Sequence, residues 1–189
     1  MKEELGKPGR FLGREPQFCD VVGLDRREED LRTCVLPDVE KATGGRVSLE
    51  TLVQAKCTLD IGCGRGAYAR ALRNLGAQGV FIGAEDVSDY SGDNAWDEYK
   101  EIVYGDIRTK PILEKLAKYN FDCVVGIGLP PPVWEWVARN RVEFKVAEGG
   151  VLMIVTDSDV ASAEYEGLSV FHGEAWIDES ILVGFQPRY

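Results

Sequence analysis

Three things are scarce in this sequence: long apolar runs, histidine and positive charge. No apolar stretch nears the roughly 18 residues that cross a bilayer, and Met1-Lys-Glu-Glu-Leu5 lacks the core of a secretory signal. No membrane partner is therefore expected. A single histidine, His172, leaves one imidazole for acid–base work. The five cysteines, Cys19, Cys34, Cys57, Cys63 and Cys123, are odd in number and show no paired metal-ligand spacing. The expectation is a reduced, cytoplasmic protein with no structural disulfide and no zinc. With 32 acids against 22 bases the net charge is −10, which works against a duplex or long RNA partner, because phosphates need Lys and Arg gathered on one face. The densest basic group, Arg26, Arg27 and Arg32, is interleaved with Glu28, Glu29 and Asp30. Only a basic patch assembled by the fold would restore that reading.

What remains is an ordinary soluble composition, 44% hydrophobic and 29% charged, in 189 residues. That length suits one domain burying about 70% of its unfolded surface. The chain divides into three zones. Residues 1–50 are rich in charge, Gly and Pro, with a helix predicted near Arg26–Val35 and a weaker segment at Val39–Thr43. They form an N-terminal extension, a lid or edge-packing helices, in which Phe11, Phe18, Val21 and Val22 supply apolar side chains. Ser48–Ala55 reads as a short helix leading into the first strand. Residues 51–189 form the main domain. Alternating strands and helices over 56–157 imply a parallel sheet with helices on both faces. Leu168–His172 and Ile181–Phe185 read as two further strands.

The richest segment is Thr58-Leu-Asp-Ile-Gly-Cys-Gly-Arg-Gly66. Thr58, Leu59 and Ile61 read as a buried strand. Gly62, Gly64 and Gly66 then let the backbone turn sharply and approach a ligand. Beyond them Tyr68, Ala71, Leu72 and Leu75 repeat at helical spacing, and Gly76 supplies the stop. A strand feeding a helix through three glycines is a nucleotide- or cofactor-binding device, whose helix N-terminus offers free N–H groups to an anion. As a dinucleotide fingerprint the loop scores in part: Gly62, Gly64 and Ala67 fit G-x-G-x-x-A, with Glu85 at a ribose-binding distance. Asp60 discriminates. A carboxylate ending a buried strand needs a donor or a cation to offset its desolvation. A cofactor carrying an ammonium group supplies one, and a nicotinamide dinucleotide does not.

On these residues the sequence resembles the class I S-adenosylmethionine-dependent methyltransferases, whose first motif reads acid-x-Gly-x-Gly-x-Gly after a strand. Val80-Phe-Ile-Gly-Ala-Glu85 is similar to the family's second strand and its ribose-holding acid, with Asp86 a competitor for that role. Ile102-Val-Tyr-Gly-Asp106 is similar to the third strand and the acid near the adenine amino group. Phe121-Asp-Cys-Val-Val125 and Glu148–Val155 resemble the fourth and fifth strands. The resemblance implies an α/β three-layer sandwich around a mostly parallel seven-stranded sheet, with the last strand antiparallel. It also implies S-adenosylmethionine held by Asp60, Gly62, Cys63, Gly64, Gly66, Glu85, Asp106 and Ile107. The Asp157–Gly167 segment is shorter than the helix the family carries there, so that face is expected to be thin.

Each of these residues has a plainer role to set against the functional one. Asp60 could cap the loop, Asp106 could start a Gly-Asp turn, and Asp122 could bond the glycine loop. Cys63 fits as a small side chain rather than a nucleophile. On the acceptor side, Gly126-Ile-Gly-Leu-Pro-Pro-Pro-Val-Trp-Glu-Trp136 superficially resembles the Asn/Asp-Pro-Pro-aromatic motif of enzymes that methylate base amino groups. Leu129 cannot accept from an amine, and the prolines lie about two positions late, so that assignment is rejected. Trp134 and Trp136 are candidates for an apolar acceptor pocket or for packing their helix on the sheet. His172, Asp157 and Asp159 are the candidate bases, since an alcohol, phenol or amine acceptor must lose a proton. The expected function is methyl transfer to a small-molecule or protein acceptor. The alternatives are a non-catalytic S-adenosylmethionine-binding regulatory or partner protein and, further off, an NAD(P)-dependent oxidoreductase.

Overall fold

Short runs of β-branched and aromatic residues that bury both faces become the strands of one sheet. The structure, a computed structural model, describes residues 23–86, 93–156, 168–173 and 180–185. Its strands are β1 (Cys57–Ile61), β2 (Val80–Glu85), β3 (Tyr99–Tyr104), β4 (Phe121–Ile127), β5 (Val146–Thr156), β6 (Ser169–His172) and β7 (Ser180–Phe185). They lie in the order β3-β2-β1-β4-β5-β7-β6. Strands β1 to β5 pair in parallel, while β7 runs antiparallel to both β5 and β6. This is the expected seven-stranded sheet with its reversed last strand. The strand order turns around at β1, which has β2 on one side and β4 on the other. In open α/β sheets the crevice beyond the carboxyl ends of such strands is where ligands bind.

Helices cover both faces, giving the expected three layers. On one face lie α1 (Leu24–Asp30), α2 (Leu36–Ala42), α3 (Leu49–Gln54) and α4 (Ala67–Asn74); on the other lie α5 (Lys110–Leu116) and α6 (Pro131–Arg139). Alternation along the strands divides the core between them. In β5, Val151, Met153 and Val155 join the first cluster, whereas Leu152 and Ile154 join the second. In β1, Leu59 and Ile61 join the second cluster, which turns Asp60 toward the face covered by α4.

The N-terminal helices differ from the sequence expectation. Arg26–Val35 and Val39–Thr43, read as two segments, are parts of one helical run. A π-helical stretch, Leu31–Val35, joins α1 to α2, and the Leu36 N–H bonds back to the Leu31 carbonyl. Pro37 follows at once. Having no N–H, it interrupts the α-helical ladder, and the wider turn before it carries the helix through. Leu24, Leu31, Val35, Leu36 and Val39 are all buried in the first cluster, and Asp25 pairs with Arg70 of α4 at 2.8 Å. The described part of the extension therefore packs flat on a face of the sheet. Phe11, Phe18, Val21 and Val22, with any lid they form, lie outside the described residues. Ser48 caps α3 as its position suggests, its Oγ accepting from the Thr51 N–H at 3.1 Å. Leu75, placed on the apolar face of α4 by spacing, is 36% exposed just past the last helical residue.

Packing of this kind makes the N-terminal helices part of the cooperative unit. Leu36 is 1% exposed, so Leu36→Ala is expected to lower stability by about 2–5 kcal/mol in a urea titration. A loss below about 0.5 kcal/mol, the range of a surface change, would show the helix to be a separately folding appendage.

Candidate functional site

At the carboxyl end of β1 the three glycines do what the spacing predicts: Gly62, Gly64 and Gly66 have φ of 69°, 52° and 88°. An L side chain in the left-handed region costs roughly 1–2 kcal/mol. The loop is held from several sides. The Ala84 carbonyl accepts from the Gly62 N–H at 2.7 Å, and the Cys63 carbonyl accepts from the Gly66 N–H at 2.8 Å. Trp96 Nε1 donates to the Gly64 carbonyl at 2.8 Å, and the Ala95 N–H donates to the Arg65 carbonyl at 2.7 Å. Glu85, buried at the end of β2, accepts from the Gly64 N–H at 2.7 Å and from the Asp86 N–H at 3.0 Å.

Packing requires a glycine at position 66, and at position 62 a larger residue would have to displace a leucine side chain. A methyl group on Gly62 would stand 2.5 Å from Leu129 Cδ2, and one on Gly66 would stand 2.9 Å from the Ala95 carbonyl oxygen. Only Gly64 faces space, with its nearest neighbour the Gly62 carbonyl oxygen at 3.9 Å. Beside it Arg65 Nε is buried without a hydrogen-bond partner. The loop thus brings together a buried carboxylate, a backbone position that admits close approach, and a buried Arg65 nitrogen without a hydrogen-bond partner.

Asp60 is 4% exposed. The donor that its burial calls for comes from within the protein: Tyr99 Oη donates to Asp60 Oδ2 at 2.5 Å. Burial pushes the carboxyl up, the Tyr99 hydrogen bond pulls it back, and the charge of Glu85 adds to the rise, leaving it at about 7. Sequence reasoning missed Tyr99, which starts β3. The signal was Gly83 in mid-β2, since an interior strand glycine often marks a close approach.

Asp106 forms a turn. Its Oδ1 accepts from the Arg108 N–H at 2.9 Å and from Arg108 Nε at 2.8 Å, while Oδ2 pairs with Nη2 at 2.8 Å. The Arg108 side chain holds this carboxyl below its usual range, against a smaller opposing effect of burial. Ile107 is buried in the second core cluster. Asp122 bonds backbone, but at the other end of β1 from the glycine loop: its Oδ2 accepts from the Lys56 and Cys57 N–H groups at 3.0 and 2.9 Å. The expectation of a bond to the loop is corrected because Asp122 lies near the amino end of β4, which runs parallel to β1. Cys63 is buried, and desolvation raises its thiol far above the usual value, which leaves no reactive thiolate.

The acceptor-side candidates are dispersed. Trp134 is buried in the second cluster with Val137, and Trp136 meets Phe144 edge to face at 6.3 Å. His172 is exposed at the end of β6. It lies four strands from β1, about 19 Å at the usual strand spacing, and is not brought to the glycine loop. Asp157 and Asp159, with the segment expected to be thin, lie outside the described residues. Among the described residues no helix is long and apolar enough to cross a membrane.

No protein-family model and no curated protein sequence matches this chain. Solved structures do. A chain of the complex between the Haloferax volcanii Trm112 methyltransferase activator and the putative methyltransferase superposes with a TM-score of 0.54 at 13% identity, over 86% of this chain and 94% of that one. Ribosomal protein L11 methylase from Lactobacillus delbrueckii subsp. bulgaricus gives 0.52 at 16% identity, over 79% of each chain. A putative methyltransferase from Escherichia coli gives 0.51 at 12% identity, over 75% of this chain and 81% of that one. The strand order, the reversed last strand and these likenesses agree: the chain has the Rossmann-like fold of the class I S-adenosylmethionine-dependent methyltransferases.

Proposed function

We propose that this protein is an S-adenosylmethionine-dependent methyltransferase acting on a small-molecule or protein acceptor. The observation that carries the reading is the buried Glu85 carboxylate bonded to Gly64 at the strand-order reversal. Glu85 ends β2 beside the loop, as the acid proposed to accept from the ribose hydroxyls. Gly64 admits the ligand, Arg65 offers a charged donor to a carboxylate, and Asp60 lies beneath the loop as the partner of a cationic group. Asp106 would reach an adenine amino group only by sharing its oxygens with Arg108, and Ile107 would supply apolar contact. When bound, the cofactor supplies a methyl group already activated on a sulfonium. The chain's own task is then to orient the acceptor, exclude water and, for an acceptor that carries a proton, remove it. Asp157 and Asp159, which follow β5 in the sequence, remain the candidate bases; His172 is too remote. A protein acceptor has a counterpart in the L11 methylase, whose fold is shared.

A binding-only role is the second reading, and Leu129 favours it. This residue follows β4, where an acceptor would be held, yet it is buried against Gly62 and Gly126. Turnover separates the two. Incubation with methyl-labelled cofactor and fractionated cell extract is expected to label an acceptor; no labelled product in any fraction would support the binding-only role.

Calorimetry tests the cofactor itself. S-adenosylmethionine and its demethylated product are expected to bind saturably and NADH not at all; binding of NADH alone would sink the proposal. Glu85→Gln removes the charged acceptor and is expected to weaken binding about tenfold or more, since hydrogen bonds to charged groups are worth about 1.5–3 kcal/mol. Alanine substitutions separate the glycines. Gly64→Ala is expected to cost about 1–2 kcal/mol of stability, for left-handed strain alone, and to abolish tight binding. Gly66→Ala, which also meets backbone, is expected to melt lower than Gly64→Ala. The reverse order in thermal unfolding would contradict the packing described.

A further inference from the structure

Asp60 and Tyr99 belong to strands that are not neighbours. β2 lies between β1 and β3, and a side chain on β2 at the level of Asp60 would stand between the two. That position is Gly83, which pairs with Asp60 in the sheet. A methyl group there would lie 3.3 Å from Tyr99 Cδ1, 3.2 Å from Ile102 Cγ1 and 2.7 Å from Cys63 Sγ. At the far edge of the ring, a methyl on Gly66 would lie 3.1 Å from Tyr99 Cε2. Two glycines thus leave the passage through which a phenol crosses β2 beneath the glycine loop. The ring is steadied edge-on by Phe81 at 6.3 Å, which in turn meets Tyr68 at 6.5 Å. A site that omits two side chains to admit a third is built around the hydrogen bond at its end.

We propose that Tyr99 is a positioning residue of the cofactor site, fixing the Asp60 carboxylate beneath the loop as the anionic partner of a cationic ligand group. The proposal rests on the cofactor reading above. A carboxylate with this burial would ordinarily stay protonated. A hydrogen bond donated to a carboxylate favours its ionised form, and Tyr99 donates one to Asp60 Oδ2. The other titratable groups around Asp60 oppose ionisation or are neutral. They are Glu85 on β2, Cys63 in the loop, Tyr68 on α4 and Cys123 on β4. Among the described residues no cation pairs with Asp60. The Tyr99 bond draws the carboxyl down against burial and the charge of Glu85, and the balance lies at about 7.

The sign follows. Because the folded carboxyl is raised above its unfolded value of 3.8 to about 7, Asp60 contributes stability fully below the former. That contribution is lost as pH rises through the latter. Ligand affinity runs the other way. A cationic group needs the ionised form, so below about 7 binding expels a proton to solvent, and affinity rises with pH by at most about tenfold per unit.

The test uses the full chain labelled with ¹³Cγ-aspartate, Asp60 being assigned with Asp60→Asn. The Asp60 midpoint is followed by NMR without ligand, and S-adenosylmethionine affinity is followed by calorimetry from pH 5.5 to 7.5. The wild-type midpoint is expected near 7, and Tyr99→Phe is expected to raise it by about one unit or more. The rise of affinity with pH should move by the same amount. A purely structural role would lower affinity equally at every pH. Should Tyr99→Phe not fold, biosynthetic 3-fluorotyrosine keeps the packing and makes the phenol a stronger donor, so the midpoint is expected to fall. A midpoint near the ordinary carboxyl value, or one unmoved by either change, overturns the proposal. Absence of S-adenosylmethionine binding at any pH, with the midpoint still responding to Tyr99, overturns the cofactor reading instead.

Discussion

The hydrogen bond from the Gly64 N–H to Glu85 Oε2, at 2.7 Å, is the contact on which the site depends. It ties the end of β2 to a loop that leaves β1 through three left-handed glycines, and so joins the two strands beside the reversal of strand order. Around it, the Ala84 carbonyl holds the loop's start and Trp96 and Ala95 hold its middle. An open glycine loop would lose much conformational entropy on meeting a ligand. A loop already pinned at its start and middle has lost it during folding, which is what pre-organised binding requires.

Holding the loop has a second consequence. It brings two carboxylates, Asp60 and Glu85, under the same few residues, both nearly buried. Glu85 is satisfied by backbone N–H groups. Among the described residues Asp60 has no such donors, and it recruits Tyr99 from two strands away through a gap opened by Gly83. The packing on that face follows: Phe81 and Tyr68 brace the phenol, and α4 carries Tyr68 into place. The N-terminal run from α1 to α2 shares the buried cluster of α4, and Asp25 pairs with Arg70 at its surface.

The sheet was legible because parallel strands buried on both faces leave continuous apolar runs, as in Val80–Glu85, whose bounds the structure reproduces. The glycine loop was legible because only glycine tolerates its backbone. Roles that depend on distance in space were not. Gly62 and Gly66 read as openings for a ligand, whereas Leu129, Ala95 and Tyr99 fill the space beside them. Asp122 read as a partner of the loop, yet the parallel register of β1 and β4 sets it at the opposite end. Arg26–Val35 and Val39–Thr43 read as separate segments, and a π-helical stretch joins them into one run. Tyr99 carried no motif at all, because its partner lies 39 residues away and only the sheet order makes them neighbours.

S-adenosylmethionine is proposed to bind beside Gly64. The most direct measurement is the change in backbone amide resonances of the ¹⁵N-labelled chain as that compound is added. Shifts are expected to concentrate on Gly62 to Gly66, on Glu85 and Asp86, and on Asp106 and Ile107. Shifts confined to the groove around Val53, Lys56, Gly76 and Val80 at the opposite edge of the sheet, or no shifts at saturating concentration, would contradict it.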